Sequence, residues 1–250
     1  MKAMILAAGL GTRLKPLTDD RPKALVEIAG RTLLEITITR LRSFGVSEVI
    51  VNVHHFAHTL VEYLEAKNNF GMRIEISRED VLLDTGGGLK KAAWFFQENP
   101  QSDEPFVLHN VDVISSIDIA QMGQFHKKHK GLVTLAVQER STSRYLLFDG
   151  DSKLCGRRTG SDETAEIVRP SRYAKALAFS GIHVISPRLL PTLTEHGAFS
   201  IITAYMRLAA QGEKIVAYRA DKDYWRDLGK PEDLAKAERD FGLGIIHPST

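Results

Sequence analysis

The chain has 250 residues and a single cysteine, Cys155. An internal disulfide is excluded, and a reducing cytoplasm is the expected compartment. Charge imbalance is also missing. Lys and Arg number 33 against 31 Asp and Glu, a formal net charge of +2. Such a balance gives no reason to expect nucleic acid or a membrane surface as partner. No apolar run is long enough to cross a bilayer. No segment repeats, no tract is of low complexity, and no hexapeptide repeats follow the last predicted helix. The short apolar run Ala3–Leu10 after Lys2 leads into Gly11, Thr12 and Arg13, not into a small-residue cleavage site, so a secretory leader is not expected.

What is present is an alternation of strand and helix patterns. Strands are expected at Met4–Ala8, Val49–Val53, Met72–Ser77, Phe106–Asn110, Val133–Val137, Ala176–Ile185 and Ile215–Tyr218. Helices are expected at Arg31–Phe44, Ala57–Lys67, Leu89–Gln97, Ile119–His129, Phe199–Ala210 and Pro231–Phe241. The alternation favours a mostly parallel sheet with helices on both faces. One domain over 1–241 is expected, with a loosely held tail at 242–250. The polar section 138–175 reads as a hairpin and mobile loop over the substrate side.

The most informative segment is Leu6-Ala7-Ala8-Gly9-Leu10-Gly11-Thr12-Arg13. Small residues and two glycines let the backbone approach a ligand closely, and successive N–H groups in such a turn form an anion nest. Arg13 then adds a guanidinium able to grip phosphate oxygens in pairs. The glycine pair alone also fits a plain strand-to-helix turn. A dinucleotide fingerprint is disfavoured because Leu14 stands where a small residue is needed, and a P-loop because Gly-Lys-Ser/Thr is absent. Lys23, stiffly connected through Pro16 and Pro22, can place a point charge on a second phosphate.

Asp112 follows the expected strand Phe106–Asn110. Ligands of open α/β sheets collect beyond the carboxyl ends of strands, and a carboxylate there suits a hard cation such as Mg²⁺. His54, His55 and His58 straddle a strand end and a helix start, so they do not read as a metal site.

These segments together resemble the signature of sugar-1-phosphate nucleotidyltransferases. The resemblance runs through Met4–Thr18 and Pro22-Lys23, then Asp84–Gly88, Asn110–Asp112, Phe179–Ile182 and Trp225–Gly229. It is similar above all to short single-domain N-acetylmuramate 1-phosphate uridylyltransferases and to mannose- and heptose-1-phosphate guanylyltransferases. It implies a Rossmann-like α/β sandwich with a mostly parallel mixed sheet. It also implies a set of contacts. Leu6, Ala7, Ala8, Gly9, Gly11, Thr12 and Arg13 would hold the nucleotide phosphates, and Thr85, Gly86 and Gly87 would lie against the base. Lys23 would contact phosphate at the reacting centre, and Asn110 and Gly181 would face the sugar. Asp112 and Asp227 would share Mg²⁺.

A sugar 1-phosphate with a second pKa of about 6 is largely a dianion at neutral pH, so its oxygen needs no general base. What it needs is neutralisation of two polyanions, which fits Arg13, Lys23 and the metal pair. The expected substrates are UTP or GTP and a sugar 1-phosphate, with uridylyl transfer to N-acetylmuramate 1-phosphate first and guanylyl transfer to mannose or heptose 1-phosphate second. A non-catalytic nucleotide sensor of the same fold would be expected to have lost one of Arg13, Lys23, Asp112 or Asp227, and all four are present. Two departures from the family pattern stand out. Val111 replaces the usual glycine before the metal-binding Asp. Ser143-Arg144-Tyr145 stands near where Gly-Asp-Phe is usual, so that Arg144 either meets an anionic sugar substituent such as a lactyl carboxylate or is a solvated surface residue.

Overall fold

A computed structural model describes residues 1–99, 101–160 and 165–246. Along the chain run β1 (Lys2–Leu6), β2 (Glu27–Ile28), β3 (Arg31–Thr32), α1 (Leu33–Ser43), β4 (Glu48–Val53), α2 (Ala57–Ala66) and β5 (Arg73–Arg78). There follow α3 (Asp84–Lys91), α4 (Ala93–Phe96), β6 (Phe106–Asn110), β7 (Val113–Ser115), α5 (Ile119–His129) and β8 (Val133–Gln138). The remainder is β9 (Arg144–Phe148), β10 (Leu154–Thr159), β11 (Ala165–Ile167), β12 (Lys175–Ile185), α6 (Ile201–Ala210), β13 (Ile215–Arg219), β14 (Trp225–Asp227) and α7 (Pro231–Gly242).

The main sheet has ten strands in the order β11-β10-β9-β12-β6-β1-β4-β5, with β8 on the other flank of β12 and β13 beyond it. Of these only β12 and β10 run against the rest, so the sheet is mixed and mostly parallel. Apolar side chains fill both faces. One core cluster joins the sheet to α1, α2, α5 and α7 through Leu34, Leu41, Leu60, Met122 and Leu234. The other joins it to α3, α4 and α6 through Leu89, Phe95, Ile201 and Tyr205. The result is the three-layer α/β sandwich that the alternation implies.

Two expected helix boundaries shift for identifiable reasons. The helix expected from Arg31 starts at Leu33, because Arg31 and Thr32 pair with β2 and the Thr32 hydroxyl caps the helix by accepting from the Glu35 amide at 3.0 Å. The helix expected from Leu89 begins earlier, at Asp84, and contains Gly86, Gly87 and Gly88. Glycine disfavours a helix interior, but here it permits close packing. A Cβ on Gly86 would overlap the Phe199 ring, one on Gly87 would lie 2.6 Å from the Gly197 carbonyl, and one on Gly88 would lie 2.8 Å from Asn52.

The polar section contributes more order than its composition suggests. β9 and β10 extend the sheet and bury Leu146, Leu147, Phe148, Leu154 and Cys155. Of the loop expected here, residues 161–164 lie outside the described residues, as do 247–250 of the expected tail. Within that expected tail Ile246 is buried in the first core cluster.

β12 serves two neighbours on one flank. Its first half pairs with β9 and its second half with β6. Between them the register against β8 slips, and Gly181 takes φ +75°. The sheet opens at this bend, and the candidate site lies there.

Candidate active site

Leu6, Asn52 and Asn110 lie side by side at the carboxyl ends of β1, β4 and β6, because Leu6 is in register with both. Together with Ala7, Ala8, Gly9, Lys23, Glu79, Leu82, Asp84, Thr85, Val111, Asp112 and Ala198 they wall a cavity of about 350 Å³. A second cavity of about 820 Å³ adjoins it. Its walls come from Arg13, Asn110, Val113, Gly181, Trp225, Asp227 and Lys230, and from Arg140, Arg144, Tyr145 and Arg157 on the β8–β10 side. Asn110 faces both cavities.

The loop after β1 turns sharply at Gly11, with φ +66°. Leu14 N–H and the Thr18 hydroxyl both donate to the Gly11 carbonyl, at 2.8 and 2.9 Å. A Cβ on Gly11 would lie 2.9 Å from the Thr18 methyl and 3.1 Å from Lys23 Cβ. Glycine therefore lets the Arg13 turn fold onto the Lys23 segment. Lys23 is buried, and its ammonium forms an ion pair with Asp112 Oδ2.

Asp112 and Asp227 are placed by one two-stranded ribbon, which joins distant parts of the chain. β14 pairs antiparallel with β7, Asp227 stands opposite Val113, and Leu228 N–H donates to the Asp112 carbonyl at 2.8 Å. The neighbouring Gly229 amide donates to Asp227 Oδ1 at 2.7 Å, and the space a Cβ on Gly229 would need is taken by Arg13 and Asp227. Burial, followed by the nearby charge of Asp112, raises the Asp227 pKa above its ordinary carboxylate value. Two carboxylates that repel each other in a partly buried site fit a divalent cation, and the Lys23 ammonium already holds a positive charge against one of them.

Not every residue singled out in the sequence touches a cavity. Gly86 and Gly87 lie behind the smaller one, with both amides donating to the Phe199 carbonyl, at 2.9 and 3.3 Å. Thr85 lines the cavity and accepts from the Ile201 amide at 3.0 Å, which ties α3 to α6. Gly11 and Thr12 shape the turn but line neither cavity. Gly181 fits between Val113 and Asn110, where a Cβ would come within 2.8 and 3.0 Å of them. Val111 is accommodated because its side chain is buried in the first core cluster.

Sequence reasoning passed over Asn52, Glu79 and Arg140. Asn52 accepts from the Ala7 amide at 2.7 Å and donates to Glu79 at 2.7 Å, and Glu79 accepts from the Leu83 amide at 2.9 Å. This buried relay fixes the floor of the smaller cavity. Its signal was an Asn inside the apolar run of β4 and a Glu just past β5, both at carboxyl ends of parallel strands.

The sequence model of the nucleotidyl transferase family matches residues 2–242. The chain belongs to the nucleotidyltransferase family. It is 34% identical over 248 residues to an N-acetylmuramate alpha-1-phosphate uridylyltransferase of Caulobacter vibrioides, covering 94% of this chain and 95% of that protein. It is 30% identical over 259 residues to a mannose-1-phosphate guanylyltransferase catalytic subunit beta of Dictyostelium discoideum, covering 98% of this chain but 64% of that longer protein. The solved structure of apo UDP-glucose pyrophosphorylase superposes with a TM-score of 0.78 at 19% identity, covering 98% of this chain and 99% of the other, a likeness of fold. The transferase is thus a sugar-1-phosphate nucleotidyltransferase, of a family that works with a divalent metal. Among its described residues no helix is long and apolar enough to cross a membrane.

Proposed function

We propose that this transferase moves a uridylyl group from UTP to N-acetylmuramate 1-phosphate in the cytoplasm, releasing pyrophosphate, with Mg²⁺ as its metal. One observation supports the reaction geometry above the others. Asp112, just before β7, lines the smaller cavity and Asp227, at the end of the paired β14, lines the larger, with Lys23 on the first and Arg13 beside the second. The nucleotide occupies the smaller cavity, between the Leu6–Gly9 backbone and Thr85. The sugar 1-phosphate occupies the larger, against Asn110, Gly181 and Arg144. The 138–175 segment forms part of the same domain and supplies the outer wall of the sugar cavity.

Asp112 and Asp227 would hold Mg²⁺, whose chemistry is to neutralise phosphate charge. Lys23 and Arg13 add two further cations at the same junction, one for phosphate at the reacting centre and one for the departing pyrophosphate. The sugar phosphate dianion attacks the α-phosphorus in line, and no side chain takes up a proton. Gly86 and Gly87 act on the base from behind, by fixing α3 against α6.

Uridylyl transfer to a muramate is favoured over guanylyl transfer by two supports. The Caulobacter relative matches end to end, whereas the guanylyltransferase matches over only part of its length. The larger cavity is also rich in arginine, which suits a sugar carrying its own anion. A pyrophosphate-release screen of UTP, GTP, CTP and dTTP against a panel of sugar 1-phosphates, with and without Mg²⁺, tests the reading. It is expected to peak at UTP with N-acetylmuramate 1-phosphate. A peak at GTP with mannose 1-phosphate would replace it.

A further inference from the structure

The cations of the larger cavity divide into two groups. Arg157 is paired with Glu166 at 2.6 Å and Arg226 with Asp240 at 2.7 Å. Arg140 is different. It is half-buried, yet no carboxylate among the described residues lies within ion-pair distance. Its Nη2 donates to the Phe179 carbonyl at 2.8 Å, its Nε is buried without a partner, and its guanidinium lies 3.5 Å over the centre of the Trp225 ring. Trp225 is itself fixed, donating from Nε1 to the Ser180 carbonyl at 2.7 Å. Burial holds the Arg140 pKa below its ordinary value, although the charge of Asp227 works the other way.

A partly buried guanidinium with no counter-ion is costly, and the cost is offset when an anion arrives. Stacking on Trp225 fixes the plane of the guanidinium, so little freedom is lost when it meets a planar acceptor. The 1-phosphate of the substrate would already have Lys23, and the metal that Asp112 and Asp227 would hold, at the cavity junction. A sugar bearing only hydroxyl and acetamido groups would leave Arg140 unpaired.

We infer that Arg140, clamped between the β12 bend and Trp225, is a specificity residue that recognises a carboxylate on the sugar through a paired hydrogen bond. The inference rests on the proposed muramate substrate and adds the group that reads it. Arg144 lines the same cavity but is exposed and has no ion pair among the described residues, so ordering it on a ligand costs more and its share is smaller.

The test compares N-acetylmuramate 1-phosphate with N-acetylglucosamine 1-phosphate, which lacks the lactyl carboxylate. Wild type, Arg140→Gln, Arg140→Lys and Arg144→Gln are assayed on both, by kcat/KM or, where turnover is too slow, by competitive inhibition constant. Arg140→Gln is expected to lower the preference for the carboxylate sugar on the order of 10- to 100-fold, as for loss of a charged hydrogen-bonded pair. Arg140→Lys should recover part of that preference, and Arg144→Gln should change it only a few-fold. Equal losses on both sugars would mean that Arg140 touches the 1-phosphate or merely props Trp225, and would overturn the inference. So would a preference that does not change at all. Failure of the wild-type enzyme to bind or turn over any carboxylate-bearing sugar 1-phosphate would instead remove the muramate reading, and Arg140 with it.

Discussion

The two cavities that meet at Asn110 are built on different terms. The smaller is backed by close-packed glycines, by the Asn52–Glu79 relay, and by the ends of three parallel strands in strict register. Its shape is set by the backbone and leaves little room for change. The larger is walled by long side chains from β9, β10 and the segment after β8, among them the half-buried Arg140 and Arg157 and the exposed Arg144. Its shape is set by side chains at the sheet's edge. A rigid compartment suits a reactant whose phosphates are common to many enzymes, and an adjustable one suits the partner that differs between them.

The sharpest way to break this comparison is at the junction, where both compartments depend on the pairing of β7 with β14. Asp112→Asn at saturating Mg²⁺ is expected to raise the barrier by about 2 to 4 kcal/mol, roughly 30- to 1000-fold in kcat, whichever sugar is used. Turnover within a few-fold of wild type would show that this ribbon does not join the two.

A second test separates the walls by stability. Gly88→Ala drives a methyl against Asn52 and Glu79 and should cost about 1 to 3 kcal/mol in denaturant unfolding. Arg144→Gln, on the other wall, should stay within about 0.5 kcal/mol. Equal costs would remove the distinction between a packed and an adjustable compartment.

Titration sharpens the picture further. In the metal-free protein the raised Asp227 pKa means that the folded state holds its proton longer than the unfolded chain. Stability should therefore fall as pH rises from the ordinary carboxylate value through the raised one. Asp227→Asn should remove this dependence, and added Mg²⁺ should restore stability to the wild type at neutral pH but not to the variant. A melting temperature in the variant that still rises with Mg²⁺ would argue that the ion binds without Asp227.

The buried histidines oppose this trend. Burial lowers His109 and His126 to about 4 and His183 to about 3. The unfolded chain takes up those protons first, so their contribution is lost as pH falls from about 6.5 through those lowered values. Replacing His183 by Asn should reduce the acid sensitivity, read as the slope of melting temperature against pH over that range.

How far the sequence could be read follows the same division. The parallel half announced itself through apolar runs ending in small residues, and Gly9–Arg13, Lys23 and Asp112 stood at those ends. The Asp112–Asp227 meeting was implied by family resemblance; Tyr224-Trp225 reads as a short aromatic strand before Asp227, but its pairing with β7, more than 100 positions away, leaves no mark in the sequence. The glycines of α3 misled. For Gly86 and Gly87 the reason lies across space in Phe199 and Gly197, more than 100 positions away, and for Gly88 in Asn52 and Glu79. Arg140 gave no local signal, since a lone Arg after a strand looks like any solvated end until Trp225 is seen beneath it.

The bend in β12 carries a last consequence. Because one strand changes partner there, β9–β11 hang from its first half and share no ladder with β1, β4, β5 or β6. On the proposed placement of the sugar, the edge that reads the acceptor can thus be rebuilt, lengthened or swapped while the Asp112–Asp227 junction stays in register. A lineage of such transferases can acquire new sugars by editing a border of the sheet and leaving its centre alone.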